Sequence, residues 1–289
     1  SSDLSATTVG SAIAQKWHAE LLRQRMKLLS AVEACNRNYE GEVSRGGDSV
    51  RINMVGDITI NSSHSRTGDL SLQNLQTTDM TLVIDAEDDF AFYLDDVDAQ
   101  QTVSDLMPES MRRAAYKMRD TADQYVFTKM NASVSTANQL TAAVVGTGGS
   151  DADLFELLVD IAVALDNVDA PEGNRWVFLP PWACGMLVKD PRRSSFGTTA
   201  NLQTYGSGYI GRTVDGLEIF KTRNLPTSAG ATTVLAGTKD ATTFADQISK
   251  YETVRHPLRF GDIHKGLHVY GAKVIRPDEL VSVAITQAT

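Results

Sequence analysis

TLVIDAEDDFAFYLDDVDAQQTVSDLMPESMRRAAYKMRDTADQYVFTKM, residues 81–130, passes from an alternating apolar strand through a carboxylate cluster into a long amphipathic helix. Leu82, Ile84, Phe90, Phe92 and Leu94 fall at even positions, the period of two that buries one face of a sheet. Met107, Met111, Ala114, Met118, Ala122 and Tyr125 recur at steps of three and four, the period of an apolar stripe along a helix. No catalytic residue set lies in the stretch. A strand feeding a long helix is a spine, which points to architecture rather than chemistry.

Composition bounds what surrounds the spine. The chain has 289 residues, 42% hydrophobic and 22% charged, enough to bury one large core or two smaller ones. Its longest apolar stretches, 157–165 and 176–179, are too short or too interrupted by charge to cross about 30 Å of hydrocarbon, and neither a membrane span nor a signal peptide is expected. Cys35 and Cys184 stand alone, which favours two buried thiols over a disulfide or a zinc site. A net charge of −9 argues against a dedicated nucleic-acid binder. The acids are concentrated: Asp85, Glu87, Asp88, Asp89, Asp95, Asp96 and Asp98 crowd residues 85–98 with no base among them. Their repulsion must be relieved by solvent or by cations from elsewhere, a neighbouring subunit's arginines included. The glycine and terminal glutamate spacing of a calcium loop is absent.

The periodicity outside the spine divides the chain. Ile13, Trp17, Leu21, Leu28, Val32 and Cys35 share one stripe of an amphipathic arm, with Ser11 as its cap. Val50, Ile52 and Met54, then Ile58 and Ile60, alternate with polar residues, and DLSLQNLQTTDMTL (69–82) returns as a second strand. Such a ribbon has little core of its own and must lie on something else, another copy of the chain included. The Ser, Thr, Ala and Gly stretch 131–149 reads as a boundary. A helix over 154–165, a buried strand at 176–179 and a Pro180-Pro181 turn follow. Residues 190–208 read as a long loop, then come strands at 217–221 and 232–237. The closing strands, within LHVYGAKVIRPDELVSVAIT (267–286), are expected to pair with the strand before the spine, making the second part an insertion.

Apparent catalytic motifs fail on context. Gly206-Ser207-Gly208-Tyr209-Ile210-Gly211 matches a dinucleotide fingerprint in letters, but it leads into a turn and strand where that site needs a helix. His264 and His268 are spaced like metal ligands on a helix, yet their flanks alternate like a strand. No nucleophile elbow, zinc-protease motif or phosphate-binding loop is present, so neither catalysis, cofactor nor metal is expected.

The order of parts carries a resemblance: the amphipathic arm, NYEGEVSRGGDSVRINMVGDITI opening a ribbon, LVIDAEDDFAFYLDDVDAQQ, the spine, an inserted unit with RWVFLPPWACGMLVKDPRR, and a closing strand pair. Gly47-Asp48-Ser49-Val50, Gly56-Asp57-Ile58-Thr59, Phe90-Ala91-Phe92 and Asp95-Asp96-Val97-Asp98 are its strongest local matches. The chain resembles the major capsid proteins of tailed bacteriophages of the Hong Kong 97 type. That resemblance implies an α+β fold with an N-terminal arm (1–42), an extended loop (43–82), a peripheral domain (83–149 and 250–289) and an axial domain (150–249). It further implies self-assembly through hexamers and pentamers into an icosahedral head around double-stranded DNA, bound without sequence specificity and not condensed onto an acidic lining. The implied home is the virion, assembled in the bacterial cytoplasm, with portal and scaffolding proteins and a decoration protein as further partners.

Candidate intersubunit residues follow from this picture: Trp17 on the arm; Arg45, Asp48, Arg51, Asp57, Arg66 and Asp69 along the ribbon; Asp95 and Asp96 before the spine; and Arg192 and Arg193 in the loop that would meet at capsomer centres. Solvated surface charge is the competing reading for the ribbon residues. Some family members link subunits through a loop lysine, but no lysine stands between Lys27 and Lys117, which excludes isopeptide cross-linking from that loop. Cementing must then be non-covalent or come from an added protein. A start at Ser1 fits initiator removal, trimming or proteolytic loss of a scaffolding segment. An encapsulin-like nanocompartment shell shares the fold and would differ in its cargo, and a soluble enzyme is the remaining alternative.

Overall fold

The computed structural model describes residues 31–38, 49–55, 58, 60, 74, 77–96, 106–146, 151–189, 209–212 and 216–288. Two sheets and a ribbon are organised around helix α1 (Leu106–Ser133). Strands β1 (Ser49–Val55) and β2 (Thr77–Val83) pair antiparallel as the ribbon, with Ser49 opposite Val83 and Val55 opposite Thr77. The first sheet has three strands in the order β10-β11-β3, formed by β3 (Ala86–Asp95), β10 (Thr242–Arg255) and β11 (Gly261–Val274).

The second sheet holds β4 (Gln139–Val145), β5 (Arg175–Leu179), β6 (Tyr209–Arg212), β7 (Glu218–Lys221), β8 (Thr227–Ser228), β9 (Ala231–Thr238) and β12 (Leu280–Gln287). Its order is β4-β12-β9-β5-β7-β6, with β8 on β9. Helices α2 (Leu154–Asp166) and α3 (Pro181–Lys189) cover one face. There Leu158, Ile161 and Leu165 pack with Val177, Leu179, Ile219, Val234 and Val283. The other face presents Trp176, Phe178, Leu235 and Leu280 to Phe127 and Met130 of α1. Both faces being covered, all five residues of β5 are buried, as a central strand requires.

Arg175, at the entry to β5, is one of the largest fully buried side chains. It is retained there because its fan of donors is matched: Nε donates to the Pro171 carbonyl at 2.9 Å, one terminal nitrogen to Asp166 at 2.7 Å and the other to the Ala170 carbonyl. The guanidinium thereby closes the turn between α2 and β5.

Several sequence expectations are revised by the partners the elements find. The apolar alternation from Leu82 to Leu94 is not one strand: it breaks at Ile84-Asp85, Leu82 belonging to the ribbon and Phe90 to the three-stranded sheet. Parity survives the break, so periodicity alone hides it. The stretch 131–149 contains β4, which runs parallel to β12. Pro181 opens α3 instead of completing a turn, its fixed φ and missing N–H both suiting a first helical position. Of the closing strands, β11 does pair with β3, but β12 leaves for the seven-stranded sheet, antiparallel to β9 and parallel to β4. The arm is described from Ala31, where it is a turn and not a helix. Asp123 takes the Ala31 N–H at 2.7 Å, and Asn36 bridges to Thr243 at the start of β10.

The spine differs from its expected single stripe because it is packed from two sides. Tyr125 meets Tyr270 of the three-stranded sheet edge to face at 5.3 Å, while Phe127 meets Phe178 of the seven-stranded sheet at 4.9 Å. Met111, Ala114, Met118 and Tyr125 are only half-buried, whereas Val126, Phe127 and Met130 are fully enclosed. Asp120 and Asp123 are buried as well, both accepting from the Asn224 amide at 2.9 and 3.0 Å. That amide ties the spine to the loop after β7, and Asp123 ties it to the arm, so the three parts meet at one polar node.

Candidate intersubunit surfaces

The ribbon is rooted in the fold, and two large apolar side chains beyond the end of β1 are exposed. Val50, Ile52 and Leu82 are buried against Ala245 and Ile275. In the sequence the same parity continues past the end of β1 to Ile58 and Ile60, which are 68% and 87% exposed. Arg51, between the buried pair, is exposed on the opposite side.

A second bare apolar surface lies at the end of the β10–β11 hairpin. His256 N–H donates to the Gly261 carbonyl at 3.0 Å to close the turn, and Leu258 and Phe260 protrude 89% and 79% exposed. The turn is braced from β3: the Tyr93 hydroxyl reaches the Phe260 carbonyl at 2.8 Å and Asp95 at 3.0 Å, and its ring meets His256 edge to face at 5.7 Å. Arg255 clamps the base, pairing with Asp96 through both terminal nitrogens and with Asp262 at 3.2 Å. Bulky residues are accommodated below the tip by glycines of β11. A Cβ on Gly266 would lie 2.3 Å from the Phe90 ring, so that ring rests on bare backbone.

Four acids of the cluster, Asp85, Asp88, Asp95 and Asp96, find partners within the chain. Desolvation works against ionising Asp85, but hydrogen bonds from Tyr125 and Lys129 outweigh it and hold the carboxyl below its ordinary value. Asp88 accepts from the Tyr270 hydroxyl at 2.7 Å; burial first, and then this bond, push the phenol pKa up. The hydrogen bonds from Arg255 hold Asp96 below the ordinary carboxylate value of 3.8. Its depressed native pKa gives a contribution to stability that is complete above 3.8 and is lost as pH falls through the lowered native value. Unfolding followed against pH should therefore show this contribution flat from about pH 5 to 8 and falling below about pH 4, with a shallower acid limb in Asp96→Asn. An unchanged acid limb in that variant would refute the role of the pair.

Of the sequence-derived candidates, Arg51, Asp95 and Asp96 are described; Asp95 and Asp96 meet Tyr93 and Arg255 of their own chain. Trp17, Arg45, Asp48, Asp57, Arg66, Asp69, Arg192 and Arg193 lie outside the described residues, as do Gly206, Ser207 and Gly208. Tyr209, Ile210 and Gly211 belong to β6, antiparallel to β7. His264 and His268 share one face of β11 with separate partners: His264 meets Tyr251 and Thr253, while His268 meets Asp246 at 2.8 Å. Asp246 also receives Arg37 at 3.2 Å, a second fastening of the arm. Among the described residues no group of three or more His, Cys, Asp or Glu could hold a metal, and no helix is long and apolar enough to cross a membrane. Sequence reasoning missed Leu258 and Phe260; the signal was there in HPLRF (256–260), two large apolar residues inside a Pro-containing turn.

Comparisons with known proteins agree with this architecture. A family model described as phage capsid protein matches residues 82–283. No curated protein sequence matches significantly. A solved structure from Mycobacterium phage Che8 shares 24% identity over 93% of this chain and 96% of that one, with a TM-score of 0.73. The capsid of cyanophage P-SCSP1u superposes with a TM-score of 0.75 at 19% identity, covering 97% of this chain and 95% of its own. The capsid of Ralstonia phage GP4 gives 0.67 at 13% identity, with 95% of each chain covered. The α+β fold is that of the Hong Kong 97-type capsid subunits, and with more than half its length matched by the family model the chain belongs to the phage capsid protein family, as a structural major capsid protein of the virion.

Proposed function

We propose that the chain closes, through hexamers and pentamers, into the icosahedral head of a tailed bacteriophage and encloses its double-stranded DNA. The observation that carries this reading is the pair of bare apolar surfaces, Ile58 and Ile60 on the ribbon and Leu258 and Phe260 on the hairpin, on elements whose roots are firmly packed. Such surfaces are unsatisfied in one copy and complete in many. In this reading residues 1–42 are the arm, 43–82 the extended loop, 83–149 with 250–289 the peripheral domain and 150–249 the axial domain. The seven-stranded sheet then runs across that last division, taking β4 and β12 from the peripheral part.

Trp17, Arg45, Asp48, Arg51, Asp57, Arg66, Asp69, Asp95, Asp96, Arg192 and Arg193 are proposed as intersubunit contacts. Asp96 would act through the Arg255 clamp that shapes the hairpin. Assembly takes place in the host cytoplasm with scaffolding and portal proteins, and a decoration protein is a further candidate partner; no step requires catalysis, cofactor or metal. Many modest contacts repeated over a closed surface give a container stronger than any one interface. Negative-stain microscopy with light scattering on the chain expressed alone tests the reading. Shells, tubes or rings are expected, and a monodisperse monomer that resists crowding would overturn it.

A further inference from the structure

We infer that the second to fourth turns of α1 form a docking strip for the phosphate backbone of duplex DNA, an inference that rests on the shell reading above. Between Glu109 and Asp120 the helix carries Arg112, Arg113, Lys117 and Arg119 and no carboxylate, in a chain whose net charge is −9. Net charge sets the mean field of the shell; this strip is a local reversal of it.

Helix geometry arranges the four cations in two rows. Arg112 and Arg119, seven residues apart, are about 10 Å apart along the axis, and Arg113 and Lys117, four apart, about 6 Å. The longer row matches about three successive phosphates of one DNA strand. Arg112, Lys117 and Arg119 are exposed and Arg113 is half-buried. The Lys117 side chain is 72% exposed and stands 4.0 Å from Asp120, a loose pair that a phosphate can displace.

The exposed positions in the C-terminal half of the same helix, Thr121, Gln124, Thr128 and Ala132, carry no charge and offer no such surface. A protein partner would call for an apolar seam among the charges. None of the exposed large apolar side chains among the described residues lies on α1, so the strip suits a polyanion read through charge alone. Each copy contributes a weak contact, and repetition over the shell makes tethering effective without condensing the genome.

The test uses the full chain and a labelled duplex of mixed sequence, with binding followed by anisotropy against salt. The wild type is expected to bind with a steep salt slope. The variant R112Q/R113Q/K117Q/R119Q should lose up to about 3.6 units of that slope, at roughly 0.9 per phosphate contact for four contacts, and at least tenfold in affinity at about 50 mM salt. R112K/R113K/R119K, which keeps the charge, should keep the slope and so separate charge from folding. Wild-type protein that fails to bind at low salt, or a glutamine variant that binds like the wild type, would overturn the inference. So would a glutamine variant with unchanged DNA binding that no longer assembles with a coexpressed scaffold, which would assign the strip to a protein partner. Microscopy of the same samples keeps the two readings apart: shells without DNA binding overturn only this inference, whereas DNA binding without any assembly overturns the shell reading on which it rests.

Discussion

Gly271→Val is expected to lower the thermal midpoint by about 2–5 °C or more and to loosen the ribbon from the body of the subunit. Gly271 lies on β11 where the chain passes from β2 to β3, and a Cβ there would stand 2.4 Å from the Val83 carbonyl oxygen and 2.9 Å from the Ile84 Cα. Both are backbone atoms and cannot rotate away as a side-chain end could. The junction must shift, and with it the root that Val50, Ile52 and Leu82 make against Ala245 and Ile275. Overpacking of this kind costs about 1–3 kcal/mol and more where backbone has to move. Gly185→Ala is the control: in α3 an added Cβ meets nothing within 4 Å, so the substitution should leave the midpoint unchanged or raise it through better helix propensity. Differential scanning calorimetry of the two variants decides the matter, and a Gly271→Val midpoint equal to the wild type would remove the close approach from the account of ribbon anchoring.

The same junction explains how much of the molecule was legible in its sequence. Alternation reports which side of a strand is buried and not which strand lies alongside. Leu82 and Phe90 therefore read as one element although a break at Ile84-Asp85 sends them into different sheets. The long spine was legible because a helix of 28 residues carries many repeats of its period. Its buried Asp120 and Asp123 were not, since nothing marks a carboxylate as satisfied until Asn224, 104 and 101 residues away, is brought to it. β4 escaped notice for a related reason: its small residues read as a connection, and its strand character comes from β12, which lies far along the chain. The candidate contacts show the same limit. Asp95 and Asp96 were legible as charges needing partners, yet Arg255, 159 residues from Asp96, belongs to the same chain. Charge sequence gives the need and only the fold gives the neighbour.

Leu258→Asp combined with Phe260→Asp should abolish shell closure while leaving the subunit folded. The two side chains are 89% and 79% exposed, so in one copy they contribute almost nothing to stability, and the midpoint of thermal unfolding should move by less than about 2 °C. Their turn is held from behind by backbone and by Tyr93, through the Phe260 carbonyl and the Asp95 carboxylate, none of which the substitutions touch. Against a second copy the balance is different. Covering a large apolar side chain contributes about 1.5–3 kcal/mol, so losing both weakens each contact by about 3 kcal/mol or more. At about 1.4 kcal/mol per tenfold, the concentration at which shells form rises at least a hundredfold, and two carboxylates facing their own copies raise it further. Light scattering across a concentration series should place the variant as small oligomers where the wild type is fully assembled. Val254→Ser, on an exposed residue of β10 outside the tip, should assemble almost normally and so show that the effect belongs to the hairpin end. If the double variant closes shells at the wild-type concentration, the tip lies outside the interfaces, and the exposed pair Ile58 and Ile60 becomes the next apolar surface to substitute.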